Sequence, residues 1–248
     1  SEFISPEELE KWRTGEYKST DWYGETFKKT SIRQEYSISA DGGTDRVQYY
    51  FNVNYANDGG LLKSNDLGYN KWSFRSNIKA ALTDGLSANF SVAGYTDKRF
   101  SPTSGMTHIW RGVVNSLPYK PVYCNNNPKY YNDVEDGQSM NPVALSKAEN
   151  VGSTTNNSTS INTTINIAWN PTFCRDLEFK GTVAYDARFT DRKAVQKDWK
   201  MYTYDESTDK YIGKSWCPTP NITQGYDNIR YVTTQLQASY KHLWKDAH

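Results

Sequence analysis

Ile32–Phe90 reads IRQEYSISADGGTDRVQYYFNVNYANDGGLLKSNDLGYNKWSFRSNIKAALTDGLSANF. Four segments of about ten residues alternate apolar with polar, as strands do. In Val47–Ala56 one face carries Val47, Tyr49, Phe51, Val53 and Tyr55; the other carries Gln48, Tyr50, Asn52, Asn54 and Ala56. In Lys71–Leu82 Trp72, Phe74, Ser76, Ile78, Ala80 and Leu82 oppose Lys71, Ser73, Arg75, Asn77 and Lys79. Side chains of a strand point alternately to the two sides of its sheet. Each strand therefore has a greasy face and a wet face, and the wet face carries formal charges.

The rest of the chain repeats the pattern. Working outward, the strands expected are Ile32–Ala40, Val47–Ala56, Lys71–Leu82, Leu86–Tyr95, Ser160–Trp169, Leu177–Phe189 and Ile229–Lys241. Asp41-Gly42-Gly43 and Thr83-Asp84-Gly85 have the residues of tight hairpin turns. Connections are short at 41–46, 83–85 and 170–176, and long at 57–70, 97–156 and 190–228. Long and short connections thus alternate, so all long ones fall at one end of the sheet. An outer-membrane β-barrel has short turns at one rim, long loops at the other, apolar residues outside and polar residues inside. A soluble sandwich mixes both kinds of connection at both ends. The fold class expected is all-β, an antiparallel transmembrane β-barrel segment with about seven strands of a larger plugged barrel.

Composition agrees. Hydrophobic residues make 36% of the 248, aromatics 15%, with 19 Tyr and 8 Trp, and mean hydropathy is −0.83. Taken alone, these values also suit a Tyr-rich soluble β-protein. The net charge of +1 leaves no electrostatic footprint for nucleic acid. No apolar run reaches the roughly 18 residues of a membrane helix, which leaves barrel strands untouched. The chain opens Ser1-Glu2-Phe3 and is expected to be an internal segment of a longer polypeptide. Seven strands do not close a barrel of this kind, so plug and remaining strands are expected elsewhere. The expected division is loop 1–31, four strands over 32–96, a long extracellular loop 97–156, two strands over 157–189, a long loop 190–228, and a strand with a turn over 229–248.

Local signals add detail. Ser5-Pro6-Glu7-Glu8 starts a helix, with Ser as cap and Pro at the first position, ending before Gly15. A short helix is expected over His108–Leu117, before Pro118. Cys124, Cys174 and Cys217 form neither a metal pattern nor a disulfide framework, though a Cys124–Cys217 bridge between outer loops is conceivable.

No catalytic constellation emerges. His108 lies in a long loop and His242 and His248 near the C-terminal turn, and HxxxH, GxSxG and phosphate-loop motifs are lacking. Asp133, Glu135 and Asp136 read as a solvated acidic loop, and Asn57-Asp58-Gly59-Gly60 as a turn rather than a calcium loop. No cofactor or metal is expected, nor an enzyme. The candidate contact residues are the loop aromatics Trp110, Tyr119, Tyr123, Tyr130, Tyr131, Trp199, Tyr202 and Trp216. Their rings suit sugar stacking and partner contact, and equally suit packing of loop on loop. Tyr55, Tyr69, Trp72, Tyr185 and Phe189 near outer strand ends, and Trp169, Tyr240 and Trp244 near inner ends, are expected as membrane-interface aromatics.

The order Thr20-Asp21-Trp22-Tyr23, Ser39-Ala40-Asp41-Gly42-Gly43, Tyr49-Tyr50, then "GLLK" before a Tyr and a strand holding Arg75 resembles the early barrel of SusC/RagA-type TonB-dependent transporters of Bacteroidetes. The likeness covers roughly the first hundred residues, and the Pro- and Tyr-rich passage ending at Asn141-Pro142 is similar too. The resemblance implies an outer-membrane location and import of an oligosaccharide or peptide. It implies partnership with a SusD-like surface lipoprotein, and energy from TonB through a plug region not in this chain. A passive porin-like barrel, a soluble secreted carbohydrate-binding β-domain and a glycoside hydrolase piece are the alternatives.

Overall fold

The computed structural model describes residues 5–134, 140–217 and 219–242. Seven strands form one antiparallel sheet in sequence order: β1 Arg33–Gly43, β2 Val47–Asp58, β3 Gly68–Thr83, β4 Leu86–Pro102, β5 Gly152–Trp169, β6 Leu177–Gln196 and, last in the sheet, β9 Asn221–Tyr240. Between β6 and β9 a separate hairpin is inserted, β7 Lys200–Asp205 with β8 Lys210–Ser215. The first hairpin turns at residues 44–46, where the Thr44 hydroxyl accepts from the backbone N–H groups of Arg46 and Val47.

Register follows the apolar pattern, because a one-residue slip would reverse the faces of a strand. Tyr55 faces Trp72; Val53, Phe74, Gly94 and Ile161 make the next row; Phe90, Ile165 and Val183 a lower one. All stand on the same side. Gly94 is required there: a Cβ would lie 2.8 Å from the Phe74 ring and 2.8 Å from the Ser160 carbonyl. The apolar face is uncovered, with Leu236 89%, Val232 71% and Ile38 77% exposed. From Phe179 to Phe189 the apolar stripe of β6 runs about 33 Å along the strand. At a tilt of about 40° that is about 25 Å of height, the thickness of an outer-membrane apolar band.

The opposite face is wet and tied together by side chains. Asn162 donates to Asp186 at 2.6 Å, the Thr182 hydroxyl to Asn166 at 2.7 Å, and Asn54 to Glu35 at 3.1 Å.

Several strands run further than their alternation foretells, β3 from Gly68 and four others by longer stretches. β4 continues to Pro102 rather than Tyr95, β5 begins at Gly152, β6 ends at Gln196, and β9 begins at Asn221. The added parts, such as Ser153–Ser158, carry polar residues on both faces. Above the membrane water lies on both sides of a barrel wall, so the alternation vanishes while the hydrogen-bond ladder persists.

The buried core lies outside the sheet's apolar face. It is built among the long connections, from Trp22, Phe27, Leu62, Ile109, Tyr131, Val143, Ala144, Leu145, Trp199 and Met201, with others. The helices of this layer are α1 Pro6–Thr14, α2 Trp22–Thr26, α3 Gly105–Asn115, α4 Pro142–Leu145 and α5 Ala148–Val151. α1 has the expected Ser5 cap, which Glu8 completes as a capping box, and ends on Gly15 in the left-handed conformation. α5 ends at Gly152, whose φ is +94 and where a Cβ would strike the Val195 carbonyl. Glycine lets the chain swing there from the loop layer into the wall.

Candidate functional site: the inner wall and the loop layer

The loop layer is locked by long-range polar contacts. Thr20 N–H donates to the Pro118 carbonyl and its hydroxyl to Lys120 O, both at 2.7 Å. Trp22 Nε1 donates to Leu117 O at 3.0 Å. Thr20-Asp21-Trp22-Tyr23 thus has a physical role: it clamps the first connection onto the segment after α3. Asp21 caps α2, accepting from Gly24 N–H at 2.9 Å. Phe27 bridges Leu62, and the Ser64 hydroxyl donates to Ser146 O at 2.6 Å, which ties in the β2–β3 connection.

Asn141 is the hub. It is wholly buried. Its Nδ2 donates to Val122 O at 2.8 Å and Asn132 O at 3.3 Å, while its Oδ1 accepts from Ala144 N–H at 3.2 Å as the cap of α4. One amide thereby fixes three segments, with Pro142 opening the helix at a position that needs no N–H.

The candidate loop aromatics part into distinct settings. Tyr131 and Trp199 are core residues. Tyr123 packs on Tyr131 at 5.4 Å between ring centres. Tyr130 stacks on Tyr211 at 4.0 Å and meets Tyr202 edge-on at 4.8 Å, and Tyr204 leans on Tyr211 at 5.1 Å. Trp216 is half-buried beneath the Lys214 ammonium at 4.5 Å. Trp110 and Tyr119 are exposed, Trp110 with Tyr23 and Phe27 beside it. Tyr204 and Tyr211 are the members of the hairpin cluster that sequence reasoning did not select; their spacing around a hairpin was the available signal.

Cys124 is buried and Cys217 half-buried, and both are free thiols, so the bridge considered above is not formed in this structure. Burial pushes the Cys124 thiol up, away from the reactive thiolate. Tyr204 is held up to about 12, first by the hydrogen bond that its phenol donates to Asp209. A donated bond to a carboxylate favours the protonated phenol. Asp209→Asn should therefore lower the Tyr204 titration towards its ordinary value near 10, read by ultraviolet titration against the Tyr204→Phe background.

Among the interface aromatics, Tyr36, Tyr55 and Trp72 form a row on the apolar face, with centres 6.4 Å and 4.6 Å apart. Trp169 stacks on Phe179 at 5.8 Å by the short turns, where Tyr240 pairs with Leu177. Tyr69 is a correction. It shares the face of Lys71 and Arg75, not that of Trp72, because the strand already extends through it. Its hydroxyl donates to Asp97 at 3.4 Å and the Arg99 guanidinium lies over its ring at 5.2 Å. Tyr185 is on the apolar face but opposite Thr163 and Val232, four residues from Phe189 on the same strand. It therefore lies within the apolar band rather than at its outer edge. Trp244, Glu135 and Asp136 lie outside the described residues.

Among the described residues no group of three or more His, Cys, Asp or Glu side chains is placed to hold a metal ion. No helix of the described residues is long and apolar enough to cross a membrane.

A wide antiparallel sheet with an uncovered apolar face, a polar inner face and long connections gathered at one end has the form of an outer-membrane barrel wall. Its fold is similar to that of solved outer-membrane importer barrels. The chain aligns, at 14% identity and a TM-score of 0.59, with the RagAB peptide transporter over 90% of its own length and 32% of that chain. A second RagAB structure, the importer in its open-open state, matches at 14% identity with a TM-score of 0.58. In sequence the chain is 29% identical over 131 residues to a TonB-dependent receptor of Formosa agariphila, covering 52% of this chain and 12% of that relative. It thus spans about a third of the solved transporter chain and a smaller share of the curated relative. No protein-family model matches. The sequence likeness is thus to a TonB-dependent receptor and the fold likeness to the RagAB transporter.

Proposed function

We propose that the chain forms part of the outer-membrane barrel of a SusC/RagA-type importer, which moves an oligosaccharide or a peptide inward together with a SusD-like surface lipoprotein. The observation that carries the reading is the sheet itself, apolar outside over the height of a bilayer and polar inside. The compact loop layer at one rim supports it, since a cap on the mouth needs an ordered surface to sit on. The exposed Trp110 and Tyr119 belong to that layer, and we assign them to partner contact. The peptide cargo of RagAB favours peptides, and the loop tyrosines suit sugars as well. TonB would act through the plug of the longer protein.

The test is to extract membranes with detergent and purify the parent protein through these peptides. Every co-purifying chain is then identified, and uptake measured with and without TonB. A surface lipoprotein in the complex and TonB-dependent uptake are expected. A parent found in the soluble fraction without partners overturns the reading in favour of a soluble binding domain. Uptake that ignores TonB would favour a passive barrel.

A further inference from the structure

On the inner face, just beneath the loop layer, one cross-strand row reads Tyr69 (β3), Arg99 (β4), Asn156 (β5) and Arg192 (β6). Neighbouring strands lie about 4.8 Å apart, so the two arginine backbones flank Asn156 about 10 Å from one another. An arginine side chain is long enough for both tips to close on one group above that asparagine. A cavity of about 560 Å³ opens beside the row, lined by Asp58, Leu67, Tyr69, Arg99, Phe100 and Asn156 among others.

Two features of the row are unsatisfied. Asn156 Oδ1 is buried without a hydrogen-bond partner, a state that is destabilising unless something donates to it. Arg192 is exposed and, among the described residues, makes no ion pair. Arg99 touches Asp97 only at 4.0 Å and stays largely exposed, so most of its five N–H donors remain available. Tyr69 holds Arg99 from below, and Asp97, itself buried, holds Tyr69. The guanidinium is therefore positioned but not saturated.

We propose that this row binds a carboxylate carried next to an O–H or N–H donor on the cargo. The planar carboxylate accepts from Arg99 and Arg192, whose forks match it, and the neighbouring donor satisfies Asn156 Oδ1. Leu67 and Tyr69 supply the apolar side of the cavity. The nearby carboxylates of Asp58 and Asp97 disfavour a doubly charged phosphate. Two cargoes carry this chemistry, the C-terminal end of a peptide and a uronic-acid sugar. The assignment rests on the transporter reading above and names what that transporter selects.

The test uses the full-length transporter with its partner, in detergent, and four probes in calorimetry. They are the tripeptide Ala-Ser-Ala as free acid and as C-terminal amide, and trigalacturonate and its methyl ester. One acid is expected to bind at least about tenfold tighter than its neutral twin, as charge-assisted bonds allow. Which pair shows it names the source. Arg99→Gln and Arg192→Gln should each cut that preference to below about threefold. Asn156→Asp, with a like charge in the row, should abolish it. Arg99→Lys, which keeps the charge without the fork, guards against a folding defect by restoring part of the preference. Equal binding of acid and neutral forms, a preference that survives both Gln variants, or no binding by any probe overturns the assignment. If cells meanwhile take up a neutral oligosaccharide in a TonB-dependent way, transport stands and only the carboxylate assignment falls.

Discussion

Ile165→Arg is expected to destabilise the membrane-embedded protein by about 2–4 kcal/mol, the cost of a cation facing lipid near the middle of the bilayer. Ile165 stands on the apolar face of β5 between Phe90 and Val183. Trp169 ends the same stripe four residues below, and Thr159 on the same face aligns with Trp72's partner Thr96 and with Phe189 above. It is therefore near mid-height. Two companions on the same strand separate lipid from other causes. Thr164→Arg, one residue away, points to the polar face beside Ser91 and Ala184 and should cost under about 1 kcal/mol, because water can reach it. Asn157→Arg is on the outer side but above the aromatic row, opposite Lys98 and Asp191, and should also cost about 0–1 kcal/mol. Urea unfolding of the full-length protein from bilayers measures all three. A buried protein core would make the cost follow packing, and lipid makes it follow depth. Equal penalties at 165 and 157 would contradict the membrane assignment of this face.

Asn141→Ala is expected to loosen the loop layer by about 2–4 kcal/mol, with little change in the wall. The value combines a lost helix cap, about 1 kcal/mol, with the Asn132 carbonyl left without a donor, about 1–3 kcal/mol; Val122 O keeps the bond from Asn132 N–H. Asn141→Asp keeps the acceptor for Ala144 N–H but has no N–H to give Val122 O and Asn132 O. It should recover only the capping share. Limited proteolysis on intact cells reads the effect, since cleavage within the buried segment 141–145 requires local opening. Cleavage at wild-type rates in Asn141→Ala would show that the hydrophobic cluster alone holds the layer.

These two experiments probe parts of the molecule that differ in how openly the sequence declares them. The faces of β1 to β6 follow from alternation, since a strand's period of two is a local property. The turn after β3 follows from Asp84 and Gly85 and the α1 cap from Ser5, whereas the first hairpin turns at residues 44–46 because Asp41-Gly42-Gly43 continues the ladder of β1 with β2. The outer extensions of β4, β5, β6 and β9 were hidden because water on both sides removes the pattern. That same concealment led to Tyr69 being grouped with Trp72, although parity with Lys71 sets it on the inner wall. Among the loop aromatics, nothing local distinguishes Trp199, which is buried, from Trp110, which is exposed.

From the sequence by itself came an antiparallel sheet with a lipid-compatible face and all its long connections at one rim, because those features depend only on neighbours along the chain. Only the tertiary structure decided that the buried core sits in the loop layer, that Asn141 joins three of its segments, and that Arg99, Asn156 and Arg192 share one row. Those pairings join residues tens of positions apart. They depend on register and on how loops fold back over the wall, which no local period encodes.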